Sequence, residues 1–269
     1  EIGSGLVGSE MCIRDRTYSY ELNNKKAPFD NVNVRKALNL SLDRNVITDK
    51  VLGQGQTPTY VFTPTYIEEG QLIQQPAYSK EPMAQRNEEA IKLLEEAGYS
   101  KANPLKFSIL YNTNENHKKV AIAAASMWKA NTKGLIDVKL ENQEWKTYID
   151  SRRAGRYDAA RAGWNADYNQ ATTFGNYFLS NSSNNTAKYA NPEYDKAIAE
   201  SYVATDAEGR AKAYAKAEEI LAKDFGIVPI FNYVNPRLVK PYVKGYSGKD
   251  PQDHIYLRNL YICLLYTSD

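Results

Sequence analysis

RNEEAIKLLEEAGYSKANPLKFSILYNTNENHKKVAIAAASMWKANTKGLIDVKL, residues 86–140, decides the fold class. Within Arg86–Ala97 the apolar residues Ala90, Ile91, Leu94 and Ala97 return every three or four positions among charged ones. That spacing predicts an amphipathic helix, which Gly98 stops. Leu105–Tyr111 reads as a strand. Asn116–Asn131 reads as a second helix, small on one face, with Met127 and Trp128 near its end. Ile136–Leu140 alternates as a second strand. Strands separated by helices indicate α/β layers with a partly parallel sheet, because parallel neighbours need a crossover long enough to hold a helix.

The alternation continues on both sides. Val34–Leu42 and Asn45–Leu52 read as helices, with Asp43 as N-cap of the second and Gly53 ending it. Gly55–Pro82 holds four prolines and few periodic apolar residues, so it reads as a long irregular excursion. Trp145–Arg153 is a short helix, Tyr157–Trp164 a strand, and Pro192–Ala204 and Ala207–Phe225 are helices. Ile227–Val234 is a strand whose Pro229 lacks an N–H, which places it at an edge or a strand end. There are no internal repeats or low-complexity linkers.

The 269 residues carry 34 Lys and Arg against 32 Asp and Glu, a net charge of +2. Nucleic acid as main partner is disfavoured, since phosphate binding leaves a basic excess or stripe. No run approaches the roughly 18 apolar residues that span a bilayer. Tyr outnumbers Phe 21 to 7, and tyrosine suits both a half-buried core and a wet recognition cleft. The ends differ from the rest: LVGSEMCIRDR within 1–16 and CLLYTSD at 263–269 resemble two reading frames of a transposase sequencing adaptor. Both tails are set aside from the fold. Cys12 and Cys263 go with them, leaving 17–262 without a thiolate nucleophile, a disulfide or a cysteine metal site.

Enzyme motifs fail. His117 and His254 form no HExxH or ligand cluster, and no metal or cofactor is expected. Gly248-Lys249 lacks the rest of a phosphate loop, and Gly53-Gln-Gly55 is a lone GxG followed by Pro58. Ser126-Met-Trp-Lys129 matches SxxK without partner motifs. In contrast, Arg161-Ala-Gly-Trp-Asn-Ala-Asp-Tyr-Asn169 ends a strand at Gly163-Trp164 and places Asp167 three residues on. Gly163 admits the close approach of another backbone, so a ligand strand can pair there. Asp167 then reads either as a partner for a ligand ammonium or as a loop carboxylate capping the next turn.

Over nearly all of 17–262 the chain resembles the periplasmic oligopeptide-binding proteins of ABC importers (solute-binding family 5) and their murein-peptide-binding relatives. The resemblance rests on FDNVNVRKALNLSLDR (29–44), RNEEAIKLLEEAGY (86–99), LYNTNENHKK (110–119), NQEWKTYIDSR (142–152), RAGWNADYN (161–169) and RLVKPYVKGYSGKDP (237–251). It implies a mixed sheet flanked by helices, the C-terminal lobe of a two-lobe clamshell. On that reading 17–234 is the peptide-binding lobe, and 235–262 returns to a first lobe that the sequence lacks. It further implies a non-enzymatic, monomeric periplasmic receptor that hands oligopeptides to an inner-membrane ABC permease. By motif match, Asp167 takes the peptide's ammonium and Gly163, Trp164 and Asn165 supply main-chain bonds. Trp145, Trp164 and Arg152 line a side-chain pocket, Arg161 and His117 meet the carboxylate, and Glu21 and Tyr233 border the cleft. Asn165 stands where some members have a disulfide cysteine, and Leu52 where some have a carboxylate-binding lysine. A murein-peptide receptor is the alternative within the family. A carbohydrate-active enzyme using Asp158 and Asp167 is the alternative outside it.

Overall fold

A computed structural model of the chain describes residues 9–240, 242–246 and 255–263. Parts of both tails, His254 and part of the 237–251 motif lie outside the described residues. The strands are β1 (Ser9–Leu22), β2 (Thr57–Pro58), β3 (Leu105–Asn112), β4 (Ile136–Gln143), β5 (Ala159–Asn165), β6 (Ile227–Leu238), β7 (Val243–Lys244) and β8 (Tyr261–Ile262). The helices are α1 (Val32–Leu40), α2 (Met83–Glu96), α3 (Glu115–Asn131), α4 (Trp145–Arg153), α5 (Thr172–Gly175), α6 (Pro192–Val203) and α7 (Ala207–Asp224).

Six strands form one sheet in the order β2-β6-β1-β5-β3-β4. β3 pairs parallel with both β4 and β5, while β1 pairs antiparallel with β5 and β6. The expected α/β architecture with a mixed sheet is thus present. Helices α1, α2 and α3 contribute to the core on one face, with Tyr18, Tyr20, Ile109 and Ala159 beneath them. On the other face α4 meets Leu110 and Ala160, and α6 and α7 build a second cluster with Phe174, Phe178 and Ile227. Neighbours such as Ala159 and Ala160 serve opposite cores, as the two-residue period of a strand requires.

Local chemistry sets the helix ends. Asn114 caps α3 by accepting from the N–H groups of Asn116 and His117, and Asn191 caps α6 ahead of Pro192. Asp43 accepts from the N–H groups of Asn45 and Val46, and Val46–Leu52 winds as a π-helix rather than an α-helix.

Two readings of the strands need correcting. The central strand β1 has no counterpart in the sequence reading. β6 is not an edge strand: β2 pairs with it at Phe231 and Asn232, and Pro229 sits at a register shift opposite Ser19. Its carbonyl accepts from Arg44 Nε (2.7 Å). The backbone ladder of β1 and β6 continues past these positions, with Ser9–Ile13 paired to Val234–Leu238. Further on, β7 and β8 pair with each other as a separate two-stranded sheet. Among the described residues no helix is long and apolar enough to cross a membrane.

Candidate functional site

Chain direction gathers the candidate residues at one end of the sheet. β3, β4 and β5 run parallel, and the loops leaving their carboxyl ends lead to His117, Trp145 and Asp167 respectively. β6 is antiparallel to β1 and so runs with β5, which brings Tyr233 to the same end. Connections leave β3 for β4 through α3 on one face and return through α4 on the other. In open α/β sheets, crevices form beyond the carboxyl ends at such a reversal.

At this end β5 has an open side. β3 pairs with β5 only at Ala159 and Ala160, whereas β1 follows β5 to Asn165. The Asn23 N–H donates to the Asp158 carbonyl (3.1 Å) on the β1 side. The Tyr148 hydroxyl donates to the Arg161 carbonyl on the other side. Successive peptide groups point to opposite edges, so Trp164 is committed to β1 while Gly163 and Asn165 face away from it. No described strand covers that edge beyond Ala160. A Cβ on Gly163 would come within 3.2 Å of Arg161 Nη2 and 3.5 Å of the Thr17 carbonyl, so a side chain here would crowd the Arg161 guanidinium.

One cavity flanks the edge, and a second is lined from β1, β6 and the start of α3. The first, of about 160 Å³, is lined by Arg152, Gly163, Trp164, Tyr177 and Thr186. Behind its lining lies the buried Glu21, whose carboxylate accepts from Arg152 Nε (2.9 Å) and Nη2 (2.8 Å), Tyr177 Oη (2.5 Å) and Thr186 Oγ1 (2.5 Å). Burial opposes the Arg152 charge, yet Glu21 holds its pKa well above the usual arginine value. The Trp164 indole donates to the Thr173 carbonyl (2.9 Å) and meets the Tyr177 ring edge-on. Trp145 is 57% exposed, stacks on Tyr148, and stands apart from this cavity.

The other cavity, of about 400 Å³, is lined by Arg16, Tyr18, Leu52, His117 and Tyr233 among others. Arg161 is only 4% exposed and donates to the Tyr233 hydroxyl (2.8 Å). Its Nε has no hydrogen-bond partner, and among the described residues it forms no salt bridge. Burial, then the nearby Arg161 and Arg16 charges, push His117 down to about 3. It is neutral at pH 7. Two guanidinium groups thus bear on the neutral His117 from one side of the cavity.

Asp167 is exposed on the loop after β5, where its carboxylate accepts from Thr173 Oγ1 (3.3 Å) and its N–H donates to the same oxygen (3.2 Å). Asp158 sits at the opposite end of β5, held by Lys26 (2.6 Å) and Ser108. Burial raises its pKa, but those two partners outweigh burial and keep it below the usual range. Nine residues of largely extended chain put the two carboxylates on the order of 25 Å apart, whereas a glycosidase pair needs roughly 5–10 Å. That pairing is ruled out. Tyr177, Thr186 and Tyr148 belong to the site without having been singled out in the sequence, where nothing but hydroxyl chemistry marks them. Arg16, set aside with the tail, lies 4.1 Å over the Tyr233 ring.

Over residues 13–186 the chain matches the family described as bacterial extracellular solute-binding proteins, family 5 Middle. The chain belongs to this family. It is 97% identical over 246 residues to the periplasmic oligopeptide-binding protein OppA of Haemophilus influenzae, covering 91% of this chain and 46% of that protein. Identity to the periplasmic murein peptide-binding protein MppA of Escherichia coli is 44%, covering 91% and 45%. A crystal structure of the Haemophilus influenzae OppA complex with RPPGFSPFR has a TM-score of 0.88 at 94% identity, covering 94% of this chain and 49% of that one. The chain thus spans about half the length of the family 5 relatives it matches. Those relatives are named for what they bind, not for catalysis.

Proposed function

We propose that the chain supplies one wall of the cleft in a periplasmic oligopeptide receptor that serves an ABC permease, without catalysis of its own. The observation that carries this is the uncovered edge at Gly163 and Asn165, followed by the carboxylate of Asp167. A peptide whose ammonium meets Asp167 runs back along β5, antiparallel to it, and bonds to those two residues as an added strand. Its side chains alternate between the faces, one set toward Trp164 and Tyr177 and the next toward His117 and Tyr233. The Arg161 guanidinium, which has no carboxylate partner among the described residues, lies beside the neutral His117 and suits the peptide's carboxylate. Affinity drawn from main chain and termini tolerates many sequences.

The greater likeness to OppA than to MppA supports oligopeptides over murein peptides. Native mass spectrometry on a receptor of the relatives' full length that carries this segment tests the reading. Co-purifying peptides of mixed sequence are expected, and they should dissociate one per monomer. Muropeptides alone would favour the MppA-like reading, and absence of any peptide would overturn both.

A further inference from the structure

The loop that carries Asp167 is gripped by a second loop, distant in sequence. The Glu68 N–H donates to Asn169 Oδ1 (3.2 Å), and the Glu68 carbonyl accepts from the Ala171 N–H (2.9 Å). Both bonds fall just after Asp167, at residues 169 and 171. The gripping segment, 64–73, belongs to no helix or strand. Short turns wind it: the N–H groups of Ile67, Gly70 and Ile73 donate to the carbonyls of Pro64, Ile67 and Gly70 respectively. Such a chain holds its neighbour in place only if it is itself held.

Two side chains anchor it. Ile67 is buried in the same apolar cluster as Ala171 and Phe174. Glu69 is the polar anchor: its side chain is only 3% exposed and pairs with Arg210 Nε of α7 (2.5 Å). The second carboxylate oxygen, Oε2, is buried without a partner, so Arg210 alone among the described residues offsets the lost hydration of this charge. The Glu69 backbone sits at φ 65°, a left-handed conformation that a residue other than glycine keeps only where its surroundings impose it. One turn further along α7, the Tyr214 hydroxyl is hydrogen-bonded to Thr172 Oγ1. Arg210 and Tyr214 lie four residues apart and so share a helix face, which bears on the Asp167 loop once directly and once through Glu69.

We infer that the Glu69–Arg210 pair is a positioning device for Asp167. The pair fixes the turns at 64–73, the Glu68 peptide groups hold residues 169–171, and the loop presents its carboxylate to a ligand ammonium in one place. Neither Glu69 nor Arg210 needs to touch the peptide. The inference rests on the ammonium reading of Asp167 and adds the residues that make it selective.

The test uses a receptor of the relatives' full length and two matched peptides, one with a free amine and one N-acetylated, titrated by calorimetry. Arg210→Met should weaken the free-amine peptide about fivefold and leave the acetylated one unchanged, since coupling through an intervening loop is weaker than direct contact. Arg210→Lys keeps the charge and should restore most of the preference. Asn169 is exposed, so Asn169→Ala cuts the grip from the other side without endangering the fold, and it should lower the preference in the same sense. Asp167→Asn, run alongside, separates this proposal from the reading beneath it. If Asp167→Asn abolishes the preference while Arg210→Met and Asn169→Ala leave it intact, the positioning role is overturned and the ammonium reading stands. If Asp167→Asn changes nothing, both fall. Equal losses for the two peptides in Arg210→Met would make the pair a general support of the fold and would also overturn the proposal.

Discussion

Replacing Glu21 by glutamine should be among the most damaging single-atom changes available in this chain. Glu21 is fully buried, and its ion-pair partner Arg152 has only 14% of its side chain exposed. The pair ties β1 to α4 across 131 residues of sequence. Tyr177 and Thr186 add two hydroxyl donors from the segment after β5. Removing one charge leaves a guanidinium in a low-dielectric site with nothing to offset its lost hydration. Breaking such a pair costs about 3–5 kcal/mol, and the slight exposure of Arg152 places this case near the lower end. With a urea dependence of about 3 kcal/mol per M for a chain this long, the unfolding midpoint should fall by about 1 M. Arg152→Met should cost a similar amount, because it strands the carboxylate instead. The double variant Glu21→Gln/Arg152→Met strands no charge, and its amide oxygen still accepts from one hydroxyl. It should cost about 1 kcal/mol, less than either single change. Urea unfolding of the four proteins, followed by circular dichroism, measures this. Single changes costing under 1 kcal/mol, or a double variant as costly as their sum, would refute the account of Glu21 as the electrostatic anchor behind the Trp164 cavity.

In a receptor of the relatives' full length, Asp167→Asn should weaken free-amine peptides by about 2 kcal/mol, roughly thirtyfold, and barely affect N-acetylated ones. Calorimetry with a matched pair of peptides checks this, and equal losses would remove Asp167 from the ammonium role. His117 has a folded pKa of about 3 against an ordinary value of 6.5. Between those values the unfolded chain binds the proton and the folded one does not, so this group makes stability fall as pH drops from 6.5 toward 3. His117→Gln should therefore shrink the loss of urea midpoint between pH 7 and pH 4.5, and an unaltered pH profile would contradict the burial argument. Leu257 and Ile262 are 77% and 53% exposed. Lysine at both positions should change this chain's stability by no more than about 0.5 kcal/mol while reducing its aggregation in light scattering. A destabilisation of 2 kcal/mol or more would mean that β8 packs more firmly than its exposure indicates.

The parts of this fold legible in the sequence are those whose signal is local. Ala90 and Leu94 lie one helical turn apart and both are buried, so residues 86–97 announce their helix without reference to anything distant. β1 carries an equally regular pattern in Thr17-Tyr18-Ser19-Tyr20-Glu21-Leu22, yet its hydroxyls and carboxylate suggest a solvated face. In the fold Thr17, Ser19 and Glu21 are as buried as Tyr18 and Tyr20, because helices cover both faces; Thr17 finds the Phe62 carbonyl and Glu21 finds Arg152. No single-sequence pattern supplies those partners. The site divides in the same way. Gly163 and Asp167 stand out as a strand end followed by a carboxylate, but the open edge arises because β3 stops pairing at Ala160, a property of its neighbour's register.

That register also sets the chemistry. Opposite β1, Arg161 faces Tyr20 and Gly163 faces Tyr18, while Trp164 faces Thr17. Moving β5 by one residue would turn every side chain to the other face. Arg161 would then enter the layer of Glu21 and Arg152, adding a second buried cation beside one carboxylate, and Trp164 would leave Tyr177 for the layer of Tyr18 and His117. Ala160 and Ala162 would swap places with Ala159 and Arg161, so small residues alone do not resist the slip. What resists it is the pair of bulky or charged side chains at 161 and 164, three apart and therefore on opposite faces, each with its own partner: Tyr233 for the guanidinium, Thr173 for the indole. The residues that flank the open edge thus fix the strand that presents it.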